Sequence, residues 1–282
     1  MADLTPIFDR WAFDEDLGAP TNRLQVRNAI DPRDIDLEEV QRDWERHLDQ
    51  LLTRWGDITR DQRDAIVDQV RAAVTSNDLA ALAAISVSTS AAVEALTEAM
   101  TDMALAAARQ MSREAQQQGV RIDPVASDSA GFAAVATALV ALLAEGLTNS
   151  AGREALRRWS PSTSGDEVSA AVREHLESLS DTFLRDQLGG ALSSAETTGR
   201  MNTALSGPSA ALYASEMLDK RTCSPCFEIN GKWLGNSDDP DIVAKVEAVY
   251  PSGNYKNCLG GVRCRGQVVS VYRPQQVGVE EA

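Results

Sequence analysis

Aromatic residues make up only 5% of this 282-residue chain, and histidine occurs just twice, at His47 and His175. Alanine, by contrast, fills 41 positions. Few aromatics and abundant alanine argue against a Val/Tyr/Phe-rich β-sandwich and for closely packed helices. Proline is missing from residues 33–123 and glycine from residues 57–118, a span without breakers that few non-helical segments show. Positive charge is also short: 27 Lys and Arg face 42 Asp and Glu, a net charge of −15. Such a field does not coat duplex DNA, and no specific nucleic-acid partner is evident. The start, MADLTPIFDRW, has neither the basic nor the apolar part of a secretory signal, so the expectation is a soluble protein made in a cytoplasm. The longest apolar run, residues 132–144, falls short of the roughly 20 residues of a membrane span. It predicts a buried helix, and no membrane partner is expected. Nucleotide-binding G-x-x-x-x-G-K-[ST] and hydrolase G-x-S-x-G motifs are both absent.

An apolar content of 43% is ordinary for a globular protein and sufficient for a core. Leu37, Val40, Trp44, Leu48, Leu51 and Trp55 recur at steps of three or four after an Asp36/Glu39 capping box, with Gly56 closing that helix. Thr59 with Gln62 predicts a second helix through Val74. A third, Ala-rich stretch opens at Asn77, breaks near residues 86–90 and stops at Gly119. Val168, Val172, Leu176, Leu179 and Phe183 mark another stripe, which Gly189-Gly190 should interrupt. Pro208 suits the first turn of a short helix through Leu218.

The texture changes after Asp219. The last 64 residues hold 7 of the 18 glycines, 4 of the 10 prolines and all four cysteines, and their charges balance at 8 basic and 8 acidic. Asn230-Gly231 predicts a tight hairpin turn, residues 238–249 a short helix and residues 262–272 a strand. The predicted organisation is an extended N-terminal arm (1–33), a helical body (34–218), a small α+β module stapled by cysteine (219–273) and a tail (274–282). The fold class is therefore mainly α, with a zinc-ribbon-like C-terminal module.

Cys223-x2-Cys226 followed by Cys258-x5-Cys264 gives two thiol pairs that can close a tetrahedral site. A module this small needs a staple. One zinc ion on Cys223, Cys226, Cys258 and Cys264 is the expectation, with two disulfides as the alternative. His47 and His175 both sit three residues after one apolar residue and four before another, as packed histidines do. No catalytic residue is singled out. Gly260-Gly261 with Arg263 and Arg265 could form an anion-binding turn or a solvated strand edge.

Residues 195–273 carry a further pattern. It begins at Ala195-Glu196-Thr197-Thr198-Gly199-Arg200 and continues through Tyr213-Ala214-Ser215-Glu216-Met217-Leu218-Asp219 and Arg221-Thr222-Cys223-Ser224-Pro225-Cys226-Phe227-Glu228-Ile229-Asn230-Gly231. It closes with Tyr250-Pro251-Ser252-Gly253, Asn257-Cys258 and Arg263-Cys264-Arg265-Gly266. This quarter of the chain resembles the C-terminal part of MuF-like phage minor head proteins, the phage head morphogenesis family. Many relatives have His-Pro before the third cysteine and a tight Cys-Arg-Cys, where this chain has Lys256-Asn257 and five residues between its last two cysteines. The resemblance implies an acidic helix before the cysteines and a minor capsid protein of a tailed bacteriophage. Such a protein is structural, sits near the portal, contacts portal or major capsid protein, and is found in the virion after assembly in the host cytoplasm. The competing expectation is an enzyme or effector with an anion-binding cleft between body and module, using Arg263 and Arg265.

Overall fold

The computed structural model describes Asp31, residues 37–179 and residues 181–272. The expected arm at 1–33, apart from Asp31, the capping residue Asp36 and the tail at 274–282 lie outside the described residues. Five long helices build the body: α1 (Leu37–Thr75), α2 (Ser90–Gln117), α3 (Ser129–Arg158), α4 (Gly165–Glu177) and α5 (Asp181–Ser206). Then come β1 (Ala210–Glu216), α6 (Ser224–Ile229), β2 (Trp233–Asn236), α7 (Ile242–Val249) and β3 (Gly266–Tyr272). The chain is mainly helical, as expected, with one three-stranded antiparallel sheet of order β2-β1-β3.

The two helices expected at either side of Gly56 are one. α1 runs 39 residues, roughly 58 Å at 1.5 Å per residue. Thr59 does not open a helix, because its hydroxyl donates to Trp55 O at 2.9 Å within the same helix. Gln62 reaches out to Ser88 O at 2.8 Å. A mid-helix glycine costs about 1 kcal/mol, and here packing on both sides outweighs it. The first half places Leu48, Leu51 and Trp55 in a core with α2, α3 and α5, while Trp44 is half-buried against Gly189. The second half places Ile66, Val70 and Val74 in another core with α4. Leu37 and Val40, at its start, pack against Val269 of β3. α1 is thus a strut that packs against the other four long helices and, at its start, against β3.

The break near residues 86–90 and the stop at Gly119 are as expected: a short 3-10 turn (Leu79–Ala84) precedes α2, and Gly119 adopts φ +79°. Four further expectations fail. The stripe 168–183 is split, since α4 ends at Glu177 and Phe183 lies exposed on α5, which runs straight through Gly189-Gly190. Gly189 is there for packing: a Cβ would come within 3.0 Å of the Trp44 ring. The segment after Pro208 is the central strand β1 and no helix, because Leu212 pairs with Gly235 on one edge and Ser270 on the other, and both Leu212 and Ala214 are buried. The apolar run in α3 is helical but largely uncovered. Phe132, Ala136 and Val140 enter the core, whereas Val135 and Leu142 are exposed, and 17% of its most apolar window is buried. Among the described residues this helix alone is long and apolar enough to cross a membrane, by length and composition.

α2 and α5 are the closest pair, and alanine makes that possible. A Cβ on Gly199 would fall 2.0 Å from Ala104 O, so the backbones touch there. At the next residue, the buried Arg200 donates two hydrogen bonds to Glu114, at 2.9 and 2.6 Å, and a third to Val268 O at 3.0 Å. Gln118 continues the same edge, donating to Ser270 O and accepting from Tyr272 N, both at 2.9 Å. Alternate backbone groups on the outer edge of β3 are therefore satisfied by helix side chains, which seals an edge open to mispairing.

Removing one partner of a buried pair strands the other's charge, so Arg200→Met should destabilise by roughly 3–5 kcal/mol in urea unfolding. Arg200→Met with Glu114→Leu should recover a large part of that loss; strict additivity of the two would mean that the pair is not coupled. Glu196, beside them, is 1% exposed with Oε1 unpartnered among the described residues. Burial pushes its carboxyl from 4.5 up to about 7 against the pull of Arg200. The folded state then holds a proton that the unfolded chain releases, so this group's contribution to stability is lost as pH rises through that window. Glu196→Gln should match the wild type near pH 4 and exceed it at pH 8, by roughly 3 kcal/mol at most. A stability difference that does not change with pH would contradict the assignment.

Candidate metal centre

The four cysteines arrive on one short helix and two loops, each fixed by an ordinary backbone device. Cys223 is the N-cap of α6, with Pro225 in its first turn, and Cys226 lies inside that helix. Asn230-Gly231 follows, and it is not the tip of a two-strand hairpin. Asn230 (φ −59°, ψ 126°) and Gly231 (φ +78°), closed by Lys232 N to Ile229 O at 3.0 Å, form a type II turn from α6 into β2. Cys258 follows α7 and the turn at Pro251–Gly253, which is clamped on α5: a Cβ on Gly253 would meet Ser193 O at 2.2 Å. Cys264 ends a 3-10 turn (Gly261–Arg263) leading into β3.

All four thiols are free, and Cys223 Sγ stands 4.0 Å from Cys258 Sγ, far outside disulfide length. The cysteines converge on a cluster that could hold a metal ion. Cys223, Cys226 and Cys258 have donor atoms within 4.8 Å of one another, and Cys264 joins Cys226 and the Glu216 carboxylate in a second group of the same size. A tetrahedral ion with bonds of about 2.3 Å to sulfur has sulfur–sulfur edges of about 3.8 Å, close to the spacing seen.

The electrostatics are those of a partly enclosed anionic cluster. Burial, then the Glu216 charge, pushes the Cys264 thiol up to about 12 and raises Cys226 further. At Cys223 burial also works upward, but the backbone N–H groups of Leu259 and Cys226 and the adjacent thiols outweigh it and lower the thiol. Burial lifts Glu216 to about 7, although Tyr250 donates to it. Gly260 N–H donates to Cys258 Sγ at 3.3 Å. Metal ligands bind deprotonated, so an ion here would draw protons from the raised thiols.

No family model, curated protein or solved structure matches this chain.

The arginines beside the cysteines have other work. Arg265 makes a two-pronged pair with Asp219, both bonds at 2.7 Å, which ties the loop before Cys223 to the strand after Cys264. Arg263 is exposed, with Asp186 at 3.7 Å. The two guanidinium groups therefore do not share one anion site. His47 Nδ1 donates to Asp43 O at 2.7 Å, and His175 Nε2 contacts Ser150 Oγ at 2.9 Å; both are half-buried, each on its own helix and remote in sequence from the cysteines. Glu216 and Tyr250 are the residues that sequence reasoning left out of the site. Reading residues 208–218 as a helix hid Glu216, since only as the end of a strand beside Gly266 does its carboxylate reach the thiols.

Proposed function

We propose that the protein is a minor head protein of a tailed bacteriophage, a structural component that meets portal or major capsid protein through a zinc-stapled C-terminal module. One observation carries this reading. The residues that make up the resemblance to MuF-like proteins, scattered over 195–273, are contact partners of one another. Glu216 accepts from the Tyr250 hydroxyl and Asp219 pairs with the Arg265 guanidinium, while Cys223 meets Cys258. That the separate pieces of the pattern fold onto each other fits the framework of one unit, and this supports the reading.

Zinc fits the donor chemistry, since four thiols with a backbone N–H on sulfur suit a soft, redox-inert ion. In this role the ion is a fold element: it holds α6, the loop carrying Cys258 and the start of β3 in one shape. The acidic helical body suits docking on protein better than on DNA.

Replacing Cys223 and Cys226 by Ser should leave most of the far-ultraviolet helical signal intact, because α1–α5 have their own cores. Proheads assembled with that variant should lack the protein or carry it at several-fold lower copy. Normal incorporation and full infectivity would show that the module is not an assembly element.

A further inference from the structure

The donors around the cysteines number five, and Glu216 is held as ligands are held. It is 5% exposed, its Oε1 accepts from the Tyr250 hydroxyl at 2.8 Å, and its Oε2 faces Cys264 Sγ at 3.9 Å. Its own backbone N–H donates to Asn230 Oδ1 at 2.8 Å, which fixes the end of β1. Across the ladder stands Gly266, where a Cβ would fall 2.1 Å from Oε1; only glycine leaves the carboxylate its place. A carboxylate with one oxygen fixed by a phenol and the other turned to thiols has the outer support that orients metal ligands.

The five donor atoms group as two triads that share one corner. Cys223, Cys226 and Cys258 form the first; Cys226, Cys264 and Glu216 form the second. Bonds of about 2.3 Å to sulfur and 2.0–2.2 Å to oxygen give a tetrahedral O–S edge of about 3.5 Å. The 3.9 Å between Oε2 and Cys264 Sγ is within a small adjustment of it.

We propose that the cluster binds two thiophilic divalent ions bridged by the Cys226 thiolate, the second held by Cys226, Cys264 and Glu216 Oε2. This rests on the metal-binding reading given above and extends it from a single cage to a shared one. Charge favours the extension. Five deprotonated donors around one divalent ion leave three negative charges uncompensated in a partly enclosed site, whereas two ions leave one. Each ion then has three protein donors, so its fourth position is open to water or to a side chain from a partner.

Counting ions tests this directly. The full-length chain, loaded with excess Zn²⁺ and desalted, should show two zinc ions per chain by native mass spectrometry. Glu216→Gln keeps an acceptor for Tyr250 but loses the anionic donor, and it should retain one; Cys264→Ser should also retain one. Wild-type protein holding a single ion, or Glu216→Gln holding as many as wild type, would overturn the second site while leaving a zinc-stapled module intact. Wild-type protein that binds no zinc would remove both readings together.

Discussion

A buried arginine has to be neutralised where it sits, and in this molecule the place is the seam between helices and sheet. Arg200 stands on α5, its counter-ion Glu114 on α2, and its third hydrogen bond ends on the Val268 carbonyl of β3. Three elements must therefore be in register at once, or a charge is left inside without a partner. The close approach at Gly199 and Ala104 sets the helix spacing that lets the arginine reach. Gln118, the residue that caps the C-terminus of α2, repeats the arrangement. Sheet and body are consequently one packed structure, even though composition changes sharply between them.

The cysteine cluster hangs from that seam. β1 is the middle strand and ends in Glu216; β3 begins at Gly266, opposite it. The loops carrying the thiols leave from those two strand ends and are drawn together by the Asp219–Arg265 pair. A rigid sheet edge thus presents short loops whose geometry a bound metal would complete. Exposed Phe227 and Leu259 flank the thiols, so order in these loops also decides what apolar surface the module displays.

Helical content was legible wherever periodicity and the lack of breakers agreed, and the Gly119 stop followed from backbone conformation alone. Gly56 misled because a glycine's local cost is small against two flanking cores. β1 was hidden for a different reason. A central strand covered on both faces has no apolar–polar alternation to read, and its Ala-rich letters carry helical propensity; the pairing that decides the matter is non-local. The four cysteines were visible as chemistry from their spacing. Glu216 and the Arg200–Glu114 pair were not, since a carboxylate joins a thiol cluster, or a buried arginine, only through contacts made across tens of residues.

Amide hydrogen exchange on the full chain, with zinc bound and after chelation, tests the central claim that the ion pair and not the metal joins sheet to body. On chelation, residues 217–232 and 254–265 should lose protection, while Ala210–Glu216 and Gly266–Tyr272 exchange as slowly as α5. Loss of protection in β1 and β3 together with the loops, at unchanged protection of α2 and α5, would contradict the account.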